Sequence, residues 1–90
     1  MSYGVVRNWP PIWTATDGTT FRPRTEIGTL IDVRMNDSFR LRLYLTIKYQ
    51  RETYVASISF DESQFYKHIF SLLQTHIGCS IQEIGDLDVN

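Results

Sequence analysis

The chain has 90 residues, 42% of them hydrophobic and 13% aromatic. That content is too apolar for a disordered chain and too short for two independent cores, and no apolar run approaches the roughly 20 residues that cross a bilayer. Nine basic residues against ten acidic ones leave a net charge of −1, which excludes a basic footprint over the whole surface. One soluble domain over residues 1–90 is expected. Met1 to Arg7 lacks the apolar core of a signal peptide and Cys79 is the single cysteine, so a reducing cytoplasm without a disulfide framework is the expected setting.

In chain order, the first 25 residues are punctuated by Pro10, Pro11, Gly18 and Pro23 and carry the aromatic residues Tyr3, Trp9, Trp13 and Phe21. Proline fixes its own φ and restricts its neighbour, so Asn8 to Pro11 is extended. Asp17-Gly18 suits a two-residue type I′ turn, and a hairpin from about Ile12 to Phe21 follows.

From Ile27 to Phe60 the apolar residues recur with period two, the signature of strands with one buried face. Ile27, Ile31, Val33 and Met35 share a parity, with Thr29 the polar exception. Phe39, Leu41, Leu43, Leu45, Ile47 and Tyr49 then alternate with Arg40, Arg42, Tyr44, Thr46 and Lys48. In the third run the apolar parity moves to Tyr54, Ala56, Ile58 and Phe60. A three-residue loop Asn36-Asp37-Ser38 sets Met35 opposite Phe39, Asp32 opposite Arg42 and Arg34 opposite Arg40. The next connection joins odd to even residues; without a glycine there, a four-residue loop from Gln50 to Thr53 is preferred to a two-residue turn at Arg51-Glu52.

Asp61 is the expected helix N-cap, with Gln64 completing a capping box and Phe60 stapling onto Phe65. The stripe Phe65, Ile69, Leu72, Leu73 and Ile77, broadened by Tyr66 and Phe70, predicts a helix over about residues 62–77 that ends at Gly78. Ser80-Ile81-Gln82-Glu83 repeats the capping spacing and predicts a short helical turn before an exposed acidic tail. The fold class is therefore α+β in two layers: an antiparallel meander of three or more strands with an N-terminal hairpin, and one amphipathic helix on its aliphatic face.

The opposite face of the sheet holds the candidate binding residues. Arg34, Arg40, Arg42 and Lys48 surround Tyr44, with Leu30 and Val55 expected on the same side. Cations interleaved with an aromatic ring suit single-stranded nucleic acid, where bases stack and phosphates pair, or another anion. Directly opposed like charges are unfavourable in a sheet, so Arg34 and Arg40 would be solvated, paired to the tail or reserved for an anion. Trp9, Ile12 and Trp13 either fold across Leu30, Tyr44 and Val55 or stay exposed as a contact for a partner or a second copy.

His76 and Cys79 have the spacing of two metal ligands, but a zinc site needs three or four, and no metal or cofactor is expected. No phosphate loop, nucleophile elbow or catalytic triad motif is present in the sequence, so no catalytic residue is assigned.

At its two ends the chain carries Arg7-Asn8-Trp9-Pro10-Pro11-Ile12-Trp13-Thr14 and Glu83-Ile84-Gly85-Asp86-Leu87-Asp88. These words resemble those of a family of small bacterial proteins without an assigned function. The resemblance implies a bacterial cytoplasmic source and transfers no activity, ligand or site residue; the turn near Gln50 to Glu52 departs from it in lacking a glycine.

The function expected first is a non-enzymatic protein-interaction or regulatory module, self-associating or binding a protein partner through Trp9, Trp13 and Tyr44, with no membrane association. The alternative is single-stranded nucleic-acid or anion binding through Arg34, Arg40, Arg42 and Lys48. A small enzyme or enzyme subunit stands third.

Overall fold

The computed structural model describes residues 9–25, 27–36 and 40–89. Among them five strands and two helices follow one another: β1 Trp13–Ala15, β2 Thr20–Phe21, β3 Thr29–Met35, β4 Leu41–Tyr49, β5 Glu52–Phe60, α1 Ser63–Gln74 and α2 Ile81–Gly85. The strands make one antiparallel sheet in the order β2-β1-β5-β4-β3. Helix α1 lies across β3, β4 and β5, which gives the expected two-layer α+β architecture.

The centre of the sheet follows from alternation. Leu43, Leu45 and Ile47 on β4 have no accessible surface and meet Ala56, Ile58, Ile69 and Leu73 in the core. Burying each such aliphatic side chain contributes roughly 1.5–3 kcal/mol before chain entropy is subtracted. Strands β4 and β5 pair in one register from Leu41–Phe60 to Tyr49–Glu52. Their connection is a two-residue turn at Gln50-Arg51, shorter than the expected four-residue loop and one residue earlier than the Arg51-Glu52 alternative. Gln50 supplies the positive φ, 57°, that a primed turn needs at its first central position. Arg42 consequently faces Ser59.

Strand β3 departs from the expected parity. Met35 faces Leu43, Arg34 faces Tyr44 and Asp32 faces Thr46, and the register then shifts so that Leu30 faces Ile47. Ile31 is the extra residue of a bulge. Leu30 is thereby buried, while Ile31 is 44% and Ile27 77% exposed, the reverse of the sequence reading. The expected pairs Asp32–Arg42 and Arg34–Arg40 do not form; Phe39 and the loop residues Asp37 and Ser38 lie outside the described residues. The shift is held by the chain beyond α1. Leu30 N–H donates to the Cys79 carbonyl (3.0 Å), Gly78 N–H to the Leu30 carbonyl (2.8 Å) and Ile81 N–H to the Gly28 carbonyl (2.9 Å). Gly28 permits this approach, since a Cβ there would stand 3.1 Å from the Lys48 carbonyl and 3.2 Å from Ile81 Cδ1.

The N-terminal hairpin extends the sheet at the free edge of β5, with Thr14 opposite Ser57 and Ala15 opposite Ala56. Its loop is Thr16-Asp17-Gly18, one residue longer than expected. Gly18 N–H donates to the Ala15 carbonyl and Ala15 N–H to the Thr19 carbonyl, and Gly18 takes φ +92°, as in a type I turn closed by a left-handed residue. This register turns Trp13 onto the helix side of the sheet, where it is fully buried with Phe21.

Helix α1 starts one residue later than its expected cap. Glu62, extended at φ −132° and ψ 124°, accepts Gln64 N–H on Oε1 (2.9 Å) and Phe65 N–H on Oε2 (2.7 Å). It replaces the Asp61–Gln64 box and sets a negative charge at the helix N-terminus. The Phe60–Phe65 contact is present at 5.7 Å between ring centroids. The helix stops at Gln74 because Thr75 Oγ1 (2.7 Å) and His76 Nδ1 (2.8 Å) both engage the Leu72 carbonyl, so Ile77 is exposed in the turn that follows. Ser80 caps α2 through Glu83 N–H, as expected. The tail is not free: Ile84 and Val89 are buried, and His68 Nε2 lies 3.1 Å from the Val89 carbonyl.

Candidate functional site

Two layers leave the sheet with unlike faces. Opposite the aliphatic side, β4 presents Arg42, Tyr44, Thr46 and Lys48, with exposed Arg40 just before it. Through the observed register one row across the sheet reads Thr20, Thr14, Ser57, Tyr44, Arg34. The next holds Val55, Thr46 and Asp32. These side chains are exposed or half-buried; Val55, 39% exposed, is a small apolar island among hydroxyls and cations.

The electrostatics of this face are uneven. Arg34 Nε stands 2.9 Å from Asp32 Oδ2, and both groups are solvent-accessible, so the pair is screened and weak. Arg42 is different. Its carbonyl is fixed by Tyr66 and Asn36, and its Nε is out of solvent with no hydrogen-bond partner. Arg40 and Lys48 are exposed.

Arg34, Arg42, Tyr44 and Lys48 share this face through the observed register and exposed Arg40 precedes β4, but three neighbours differ from the sequence reading. Leu30 leaves this face through the bulge. Trp13 is in the core and presents no surface to a partner, which corrects its assignment as an interaction anchor: β1 parity places it beside Ala15 and Phe21 under the helix layer. Trp9 is half-buried against the core with its Nε1 unpartnered. It bounds an open cleft of about 400 Å³ with Pro10, Pro11, Ile12, Arg22, Pro23 and Arg24. Neither tryptophan lies across Tyr44. The hydroxyl residues Thr14, Thr46 and Ser57 escaped notice as site members, although the parity of Ser57 against Ala56 and Ile58 already turned it outward.

The residues of the two terminal words have a structural placement. Gly85 on α2 packs against segment 23–24, where a Cβ would meet the Arg24 and Pro23 backbone at 3.1 Å. Arg24 Nε donates to the Gly85 carbonyl and lies 3.4 Å from Asp86 Oδ1. Trp9 to Ile12 of the first word and Gly85 and Asp86 of the second therefore meet the strand-to-loop segment after β2, while Thr14 lies in the Tyr44 row; Arg7 and Asn8 lie outside the described residues.

Among the described residues, two groups have shifted acidities. Thr19 N–H holds the Asp17 carboxyl below its ordinary value. Loss of hydration, then the hydrogen bond to Glu52, raises the Tyr54 phenol. Both sit in local contacts remote from the Tyr44 row. Among the described residues no three His, Cys, Asp or Glu side chains are grouped to hold a metal ion, and no helix is long and apolar enough to cross a membrane.

The sheet edges bear on self-association. β2 has two residues, and a short edge is a poor template for strand addition. On β3 the Leu30 N–H and carbonyl are occupied by residues 79 and 78, and Gln74 Nε2 donates to the Val33 carbonyl (3.3 Å). Comparison with known proteins finds no matching family model, no matching curated protein and no matching solved structure.

Proposed function

We propose that this chain is a non-enzymatic recognition module that holds an anionic ligand on the open face of its sheet, through Arg34, Arg40, Arg42 and Lys48 around Tyr44. The observation that carries this reading is that, among the described residues, the paired rows of this face hold Arg34, Arg42 and Lys48 with one carboxylate, Asp32, and exposed Arg40 stands just before β4, in a chain whose net charge is −1. Opposite them, the layer formed by residues 61–89 carries Asp61, Glu62, Glu83, Asp86 and Asp88 against Lys67 alone. Such a separation of charge steers and orients an anion before contact. The expectation of protein contact through both tryptophans loses its support with the burial of Trp13, and symmetric pairing through β3 is opposed by the occupied edge. Tyr44 keeps its place as a contact residue. We propose a cytoplasmic setting, which the single cysteine supports.

Fluorescence anisotropy with a labelled oligothymidylate at about 50 mM and about 200 mM salt tests it. Three to four neutralised phosphates on a single strand predict an affinity about 20- to 50-fold weaker at the higher salt. Absence of binding at the lower salt, to this probe and to inorganic polyphosphate alike, removes the reading.

A further inference from the structure

We infer that the anion is a single-stranded nucleic acid and that one of its bases stacks on Tyr44; this rests on the recognition reading above and names its ligand. Tyr44 sits mid-strand on β4, flanked on both sides by paired strands, with Ser57 opposite on β5 and Arg34 opposite on β3. Same-face positions along a strand are about 6.8 Å apart and neighbouring strands about 4.8 Å. The ring therefore has Arg42 two residues before it, Thr46 two after it, and a second guanidinium beside it. Leu43 and Leu45, buried beneath, hold this stretch of β4 down as a rigid platform.

A polyphosphate chain or a sulfated sugar would use the cations and leave Tyr44 idle. A duplex keeps its bases stacked inside and would touch an open sheet face with phosphates alone. A single strand uses every group present: an unstacked base has a π-face for the Tyr44 ring, hydroxyls of Ser57 and Thr46 lie within reach of base edges and sugars, and flanking phosphates meet Arg42 and Arg34. Arg42 stands one same-face position before the ring on β4, the distance at which its guanidinium serves a phosphate next to the stacked base. With one aromatic residue on this face among the described residues, one base is stacked and sequence preference is slight.

The test compares three probes of equal length on the unmodified full chain: an oligothymidylate, an abasic phosphodiester oligomer and a blunt duplex. The base-bearing single strand should bind about tenfold more tightly than the abasic one, the effect of one stacked base. Tyr44→Ala should abolish that ratio and Tyr44→Phe should keep it, with thermal melting confirming that both variants fold. Equal binding of the base-bearing and abasic oligomers overturns the inference while leaving anion recognition intact. A duplex that binds more tightly than the single strand overturns it equally. No binding by any of the three overturns the inference, and the recognition reading falls with it only if inorganic polyphosphate also fails to bind.

Discussion

The Tyr66 hydroxyl donates to the Arg42 carbonyl over 2.9 Å and accepts the Asn36 N–H at 3.2 Å, so the helix on one face of the sheet holds the backbone of a cation on the other. Tyr66 is buried with its ring 5.6 Å from that of Phe60. Tyr66→Phe keeps the ring and removes the hydroxyl. The Arg42 carbonyl still receives Asn36 N–H at 3.0 Å, so neither group is orphaned. The expected cost is about 1 kcal/mol, read as a melting temperature lowered by about 4–8 °C. An unchanged midpoint would show that this bond contributes nothing.

Gly85 is required by space. Its missing Cβ leaves room for the backbone of Pro23 and Arg24 at 3.1 Å, and backbone cannot step aside as a flexible side chain can. Gly85→Ala is expected to cost about 1–3 kcal/mol in urea denaturation. Gln82→Ala, exposed on the same helix, should stay within about 0.5 kcal/mol of the parent. Equal effects of the two substitutions would contradict the packing assigned to α2.

How far such features can be read from sequence depends on whether they are local. Alternation along β4 and β5 shows which side of each strand is buried, and with it the grouping of Arg42, Tyr44 and Lys48. The bulge at Ile31 was hidden because its cause is distant: residues 78–81 pair with Gly28 and Leu30. The polar Thr29 beside Leu30 was its only local trace. Trp13 was misplaced because three strand residues carry too little periodicity to choose a face, and the choice is made by pairing with β5. Asp86 and Asp88 are exposed as their charge suggests, whereas Ile84 and Val89 anchor the same segment in the core. Glu62 was overlooked as a cap because Asp61 has the commoner side chain, whereas the longer Glu62 reaches two N–H groups at once.

The β4–β5 turn holds a correctable strain. Gln50 adopts φ +57°, a region that costs an ordinary L-residue about 1–2 kcal/mol and glycine almost nothing. Glycine also enlarges the unfolded ensemble, which offsets part of the gain. Gln50→Gly should therefore raise stability by about 0.5–1 kcal/mol by denaturant midpoint, with no change in denaturant sensitivity. A lowered midpoint would mean that the Gln50 side chain makes a contact worth more than the strain.

Acid should loosen the first hairpin. Thr19 N–H reaches Asp17 Oδ1 over 2.9 Å and lowers the carboxyl from its ordinary 3.8. A group whose acidity is strengthened by folding contributes stability above the unfolded value and loses it as pH falls through the lower folded one. Any advantage of the parent over Asp17→Asn should therefore be constant near neutrality and shrink below about pH 4. Parallel stability curves down to about pH 2 would detach this carboxylate from hairpin stability.

Asp32 sets how many cations the open face can offer. Paired at 2.9 Å with Arg34, it cancels the charge on one of the four, so a single strand should neutralise about three phosphates on the parent and show a salt slope near −2. Asp32→Asn keeps the shape and removes the negative charge. Arg34 is then available to the ligand, and the slope should steepen toward about −3 with tighter binding at low salt. Glu83→Gln, the same charge change on α2 in the opposite layer, separates local from global electrostatics: it alters net charge equally and should leave the slope where it was. If Asp32→Asn and Glu83→Gln shift binding alike, the ligand senses only the total charge of the molecule. In that case the row of Tyr44 and Arg34 is not where it lies.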